Sequence, residues 1–171
     1  MSLVTSEVGV DIRDATIDDA GDIARIYNQG IEDRVATLET EPRTPDERRQ
    51  WLASRTTRYP ILVAVVGARL VGWASLNPFN PRPAYDHVAD FSVYVDRTER
   101  GAGTGTALLA ALERRARVLG YHKLVLAAFP WNTAGMALYR RGGFRTVGTY
   151  HEQGVLDGRW VDVVLMEKIL A

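Results

Sequence analysis

The chain has 171 residues, enough for one well-packed core, and its 46% hydrophobic and 25% charged residues sit near globular averages. Basic and acidic residues number 21 each, so the formal net charge is zero and nothing suggests a nucleic-acid or polyanion surface. No cysteine is present, which excludes disulfides, thiolate catalysis and cysteine-based zinc sites and fits a reducing, cytoplasmic setting.

Residues 1–10 are too short and polar for a signal peptide, and no apolar run approaches membrane length. Residues 1–8 read as a flexible extension of a single domain spanning 1–171. A short first strand closes at Ile12–Ala15. Thr16 then caps a helix whose apolar positions Ala20, Ile23, Ile26, Tyr27 and Ile31 recur at helical spacing, with Gly30 loosening its end. A second helix starts near Thr44-Pro45-Asp46-Glu47, with proline in the first turn, and carries Trp51 and Leu52. Ile61–Val66 and Leu70–Leu76 form a hairpin around Gly67-Ala68-Arg69. The prolines of Asn77–Pro83 predict a rigid loop without ladder pairing. His87–Val95 is the central strand. A Gly-rich turn leads from it into a helix starting at Thr104–Thr106 and carrying Leu108, Leu109, Leu112, Ala116 and Leu119. Lys123–Ala128 (strand), Asn132–Arg141 (helix), Phe144–Tyr150 (strand) and Val161–Ile169 (strand) complete the chain. Gly142-Gly143 stops the last helix, and Gly154 and Gly158 punctuate the final approach. This order predicts an α/β (α+β) domain with a mixed sheet and helices on both faces.

The stretch with the clearest chemical meaning is Arg100-Gly101-Ala102-Gly103-Thr104-Gly105, between the central strand and the long helix. A helix start presents unpaired N–H groups and the positive end of the macrodipole, and glycines let a turn wrap closely around an anion. No Gly-Lys-Ser/Thr ends the turn, so it is not a Walker A loop. The G-x-G-x-G spacing also departs from the dinucleotide fingerprint. A phosphate or pyrophosphate is the expected ligand.

The Arg-x-x-Gly-x-Gly pattern of Arg100–Gly105 resembles the acetyl-CoA loop of the GNAT superfamily of N-acetyltransferases, and the element order resembles that fold over nearly the whole chain. Ile31-Glu32 followed by Thr40–Pro45, Tyr85-Asp86 leading to Asp90 and Ser92–Val95, and Gly158–Asp162 resemble the phosphinothricin and methionine sulfoximine acetyltransferase group. Glu32–Thr37 is most similar to its arsinothricin-resistance branch. The resemblance implies a mostly antiparallel sheet, acetyl-CoA as cosubstrate, no metal and a homodimer.

It also implies roles. Asp90 is the expected general base for the substrate amine, where related enzymes usually carry Glu. Its shorter side chain favours a bridging water. Tyr139 matches the position of a proton donor to the departing thiolate, where the phosphinothricin-type enzymes often have His. Val93, Tyr94 and Val95 would pair their backbone with the pantetheine amides, with a bulge freeing an N–H for the thioester oxygen. Arg100, Gly101, Ala102, Gly103, Thr104, Gly105 and Thr106 would meet the pyrophosphate. Asn132 has helix capping and pantetheine contact both open to it. Arg82, in the proline-rich loop, offers a planar fork for a carboxylate or phosphinate. Tyr85, Glu32, Arg34 and Thr37 are the other candidate pocket residues. The scattered His87, His122 and His151 lack metal-ligand spacing.

The implied activity is direct acetyl transfer to the α-amine of a small acidic amino-acid analogue, conferring resistance, with no nucleic-acid or membrane partner. Alternatives are another amine, such as a peptide N-terminus or polyamine, and a non-catalytic acetyl-CoA-binding module.

Overall fold

The computed structural model describes residues 9–171, so the expected extension over 1–8 lies outside the described residues. The chain runs β1 (Asp11–Asp14), α1 (Ala20–Asp33), α2 (Pro45–Ser54), β2 (Ile61–Val66), β3 (Arg69–Pro78), β4 (Val88–Val95), α3 (Thr104–Val118), β5 (Lys123–Ala128), α4 (Thr133–Arg141), β6 (Arg145–Leu156) and β7 (Arg159–Ile169). The strands form one seven-stranded sheet in the order β1-β2-β3-β4-β5-β7-β6. Only β4 and β5 run parallel, and α3 supplies the crossover that a parallel pair requires.

Local chemistry accounts for the helix starts. Thr44 and Glu47 satisfy each other's backbone amides at 2.7 and 3.1 Å, a reciprocal cap that fixes the entry of α2 behind Pro45. Thr16 does not open α1 directly. Its amide donates to Asp19 at 2.7 Å over a single 3-10 turn, and α1 follows from Ala20. The predicted apolar positions of α1 are buried, and Gly30 lies under the Tyr94 ring, where a Cβ would stand 3.1 Å from Cε1.

The sheet separates two apolar layers. On one side α1 and α2 bury Ile23, Ile26 and Tyr27 against Val63 and Trp73. On the other, Leu108 and Leu112 of α3 pack on Leu124 and Met166. Each large side chain so enclosed contributes about 1.5–3 kcal/mol. β4 therefore has a helix layer on each face, and its alternate residues report to different layers: Tyr94 to the first, Phe91, Val93 and Val95 to the second.

Three expectations need correction. β3 continues through Asn77 and Pro78, which pair with Asp90 and Ala89. The ladder tolerates Pro78 because β2 ends opposite Ser75, leaving the proline bonded on one side only. The final strands are longer than predicted: β6 runs through Gly154 to Leu156, and β7 begins at Arg159. Gly154 marks a register slip between Tyr150 and Gly154 rather than a break, with Glu152 at φ 50°. The β3–β4 register is continuous, so β4 contains no bulge.

Candidate active site

β4 and β5 pair only at Val88–Asp90 with Lys123–Val125. Beyond that point β5 continues with β7, while Phe91–Val95 keep β3 on one side and have no ladder partner on the other. The strands part like a V with Asp90 at its apex. The free backbone edge that a bulge was expected to provide arises here from the parting of the strands.

The Gly-rich turn closes the open end. Gly101 and Gly103 take φ 82° and 87°, a region that disfavours other residues. Gly103 is also the N-cap of α3 and has no side chain to satisfy the first turn. The first helical bond there is Ala107 N–H to Gly103 O at 3.0 Å, so the amides of Thr104, Gly105 and Thr106 project from the helix start. A Cβ at Gly105 would stand 3.2 Å from Leu138, so α4 packs close against this end of α3.

Between these features lies a cavity of about 740 Å³. Of the predicted cofactor residues, Val93, Tyr94, Val95, Arg100, Gly101, Gly103, Gly105, Thr106 and Asn132 line it. Ala102 belongs to the turn but not to the lining, and Thr104 is buried with its hydroxyl unpartnered. Asn132 caps α4 by accepting from the Gly135 amide at 3.0 Å while also lining the cavity, so both of its readings hold at once. Arg100 is tethered by Asp33 of α1 at 2.9 Å. The sequence reading missed Gly30, Val35, Ala36 and Trp131 as lining residues. The Trp131 indole stacks on Phe129 and donates to the Arg34 carbonyl at 2.9 Å. An aromatic residue directly before a predicted helix cap was the available signal.

Of the two predicted catalytic residues, Tyr139 lines the cavity, whereas Asp90 sits at the apex of the parted strands and is not among the lining residues. Burial pushes the Asp90 carboxyl up to about 6, opposed by a hydrogen bond from Asn77. Tyr139 lines the cavity from α4 with its ring edge-on to Phe91 at 5.8 Å. Its phenol is pushed up to about 12, first by burial and then by the charge of Asp90. Among the described residues its hydroxyl has no hydrogen-bond partner.

The predicted substrate residues do not converge in the same way. Arg82 and Tyr85 are exposed and outside the cavity lining; Tyr85 meets Phe79 edge-on at 5.8 Å. Glu32 pairs with Arg97 at 3.0 Å. Arg34 ends α1 at φ 54° and binds Asp157 at 3.0 Å, and the Thr37 hydroxyl accepts from the Glu39 amide at 3.1 Å. Among the described residues, no side chain makes an ion pair with Arg82. A further cation escaped the sequence reading. Arg48 of α2 is buried with its guanidinium 4.3 Å from the Tyr27 ring centre and 4.5 Å from that of Trp51. His87 and His122 have ring centres 6.0 Å apart, and no metal-ligating cluster exists among the described residues.

The glycine conformations, the free helix-start amides and the unpaired strand edge together fit a pantetheine arm ending in a pyrophosphate. The comparisons agree. The acetyltransferase (GNAT) family profile matches residues 23–144. An L-methionine sulfoximine/L-methionine sulfone acetyltransferase of Pseudomonas aeruginosa is 37% identical over 91% of this chain and 92% of its own length. Among solved structures, a ribosomal-protein-alanine N-acetyltransferase from Brucella melitensis is 38% identical with a TM-score of 0.89, covering 93% of this chain and 99% of that one. A phosphinothricin acetyltransferase from Sinorhizobium meliloti, solved with acetyl-CoA, is 30% identical with a TM-score of 0.88, covering 95% and 89%. The chain is thus an acetyl-CoA-dependent N-acetyltransferase belonging to the GNAT family.

Proposed function

We propose that this enzyme acetylates the α-amine of a small acidic amino-acid analogue of the phosphinothricin, arsinothricin or methionine sulfoximine kind, and that it confers resistance to such a compound. The observation that carries the reading is the placement of Asp90, a half-buried carboxylate at the apex of the parted strands and open to proton exchange near neutral pH.

When bound, acetyl-CoA supplies the activated acetyl thioester. The protein's part is to hold it with the Arg100–Thr106 turn and the β4 edge, and to manage protons. At pH 7 most Asp90 carboxylates are ionised and can accept a proton from an ammonium group, directly or through water. Tyr139 keeps its proton at that pH and faces the cavity as a donor for the leaving group. Arg82 is the proposed anchor for the acidic end of the substrate. Its amide is fixed by the Asn80 side chain at 3.0 Å, and among the described residues its guanidinium has no carboxylate partner, whereas Arg34 is committed to Asp157.

The ribosomal-protein-alanine relative gives specific weight to a second reading, acetylation of a peptide N-terminus. A thiol-release assay across amino-acid analogues and an alanine-terminated peptide separates the two. Turnover confined to the peptide overturns the small-molecule reading.

We place the enzyme in the cytoplasm as a homodimer. No helix among the described residues is long and apolar enough to cross a membrane, and Trp160, Tyr150 and Val155 give the β6–β7 hairpin an exposed apolar surface suited to a second copy. Sedimentation of a monomer at micromolar concentration would refute the dimer.

A further inference from the structure

Asn77 and Asp90 are direct partners across the β3–β4 ladder, so their side chains share a face of the sheet. The Asn77 amide group reaches Asp90 Oδ1 at 3.5 Å and Ser92 Oγ at 3.2 Å through Nδ2. Its other end, Oδ1, accepts from Ser75 Oγ at 3.0 Å and from the Arg55 guanidinium at 3.2 Å.

The Arg55 contact fixes the orientation of this amide. A guanidinium has donors only, so the Asn77 atom facing it must be the oxygen, and the NH₂ is turned toward Asp90. Arg55 is itself held, since it donates to the Tyr59 carbonyl at 3.0 Å and to the Leu76 carbonyl and lies over the Trp51 ring.

We propose that Asn77 is a positioning residue: locked by Arg55 and Ser75, its amide holds the Asp90 carboxylate in its ionised, acceptor form at the apex of the parted strands. The proposal rests on the reading of Asp90 as the base. A donor aimed at a carboxylate favours ionisation, and here it opposes the burial that disfavours it. The other groups around Asp90 do not duplicate this effect. From α4, Tyr139 feels the Asp90 charge and offers no cation. From β5, the partner is the apolar Val125. Arg55 reaches Asp90 only through Asn77.

The test uses the full chain with carbon-13-labelled aspartate. The Asp90 carboxyl resonance is assigned by its loss in Asp90→Asn and titrated beside the acid limb of kcat/KM. In Asn77→Leu the Asp90 midpoint should rise by about one pH unit, and the acid limb should rise with it. That is roughly a tenfold loss of kcat/KM below the limb with little change at pH 8. Asn77→Ser, whose hydroxyl falls short of Asp90, should behave the same way and serves if the leucine variant does not fold. An unmoved carboxyl midpoint, or a loss of kcat/KM equal at every pH, overturns the proposal. A midpoint that moves while the acid limb stays put upholds the Asn77–Asp90 coupling and overturns Asp90 as base.

Discussion

The two halves of the sheet make different use of the same secondary structure. β2–β4 are sandwiched between helix layers, and β4 gives Tyr94 to one layer and Phe91, Val93 and Val95 to the other. β6, in the other half, is exposed along nearly its whole length and takes its order from β7 alone among the strands. The halves are joined by only three residue pairs. The proposed chemistry falls at this seam, where an enclosed strand loses its partner. A backbone edge in a dry cleft can bind an extended ligand, whereas the same edge on an open surface is already satisfied by water.

The comparison breaks most readily at Asp90. Asp90→Asn should lower kcat/KM by about 10²–10⁴-fold at pH values where the substrate amine is protonated, with the deficit shrinking at high pH. A loss independent of pH would make Asp90 structural. The same substitution should stabilise the fold. With its folded affinity raised from 3.8 to about 6, the native state binds more protons than the unfolded chain between those values, so wild-type stability falls as pH rises through that window. Above it, Asp90→Asn should gain up to about 3 kcal/mol, and little at pH 4. Thermal melts at the two pH values read this directly.

The next largest effect belongs to the turn. Gly103→Val places a β-branched residue at φ 87°, which costs about 1–3 kcal/mol of strain or forces the turn to rearrange. Acetyl-CoA affinity by calorimetry should weaken by about 5- to 150-fold. Unchanged affinity would remove the turn from the binding site. Tyr139→Phe keeps the ring against Phe91 and removes only the hydroxyl. About a tenfold drop in kcat with acetyl-CoA affinity preserved is expected, at the low end for proton transfer because a thiolate leaves readily. Equal kcat would assign that proton to water. The smallest effect should come from Arg82→Ala, which lies outside the cleft and is exposed to solvent screening. KM for an anionic analogue should rise about tenfold or less with kcat nearly constant. A constant KM would rule out Arg82 as the anchor.

The Gly-rich turn was legible in the sequence because its requirement is local: positive φ at Gly101 and Gly103 and a helix start behind them. Amphipathic α1 and capped α2 were legible for the same reason. The V between β4 and β5 was not, because it depends on where two strands distant in sequence stop pairing. The role of Asn77 was hidden for a related reason. Read as the first residue of a proline-rich loop, it becomes a partner of Asp90 only once β3 is seen to carry Pro78 in its last rung. Gly154 misled in the opposite direction, since a register slip and a strand end leave the same mark in a sequence.

The free edge of β4 also bears on how the protein avoids unwanted association. An unpaired strand in the open is a template for other chains. This one lies within a cavity whose lining includes Val35, Ala36, Trp131 and Tyr139. A polypeptide strand carries side chains on both faces and needs clearance above and below the sheet, where α1 and α4 stand. A slender, unbranched arm needs far less. With α1 and α4 flanking it, this edge faces a cavity rather than the open surface and so offers a poorer template to a neighbouring chain than a bare edge strand would.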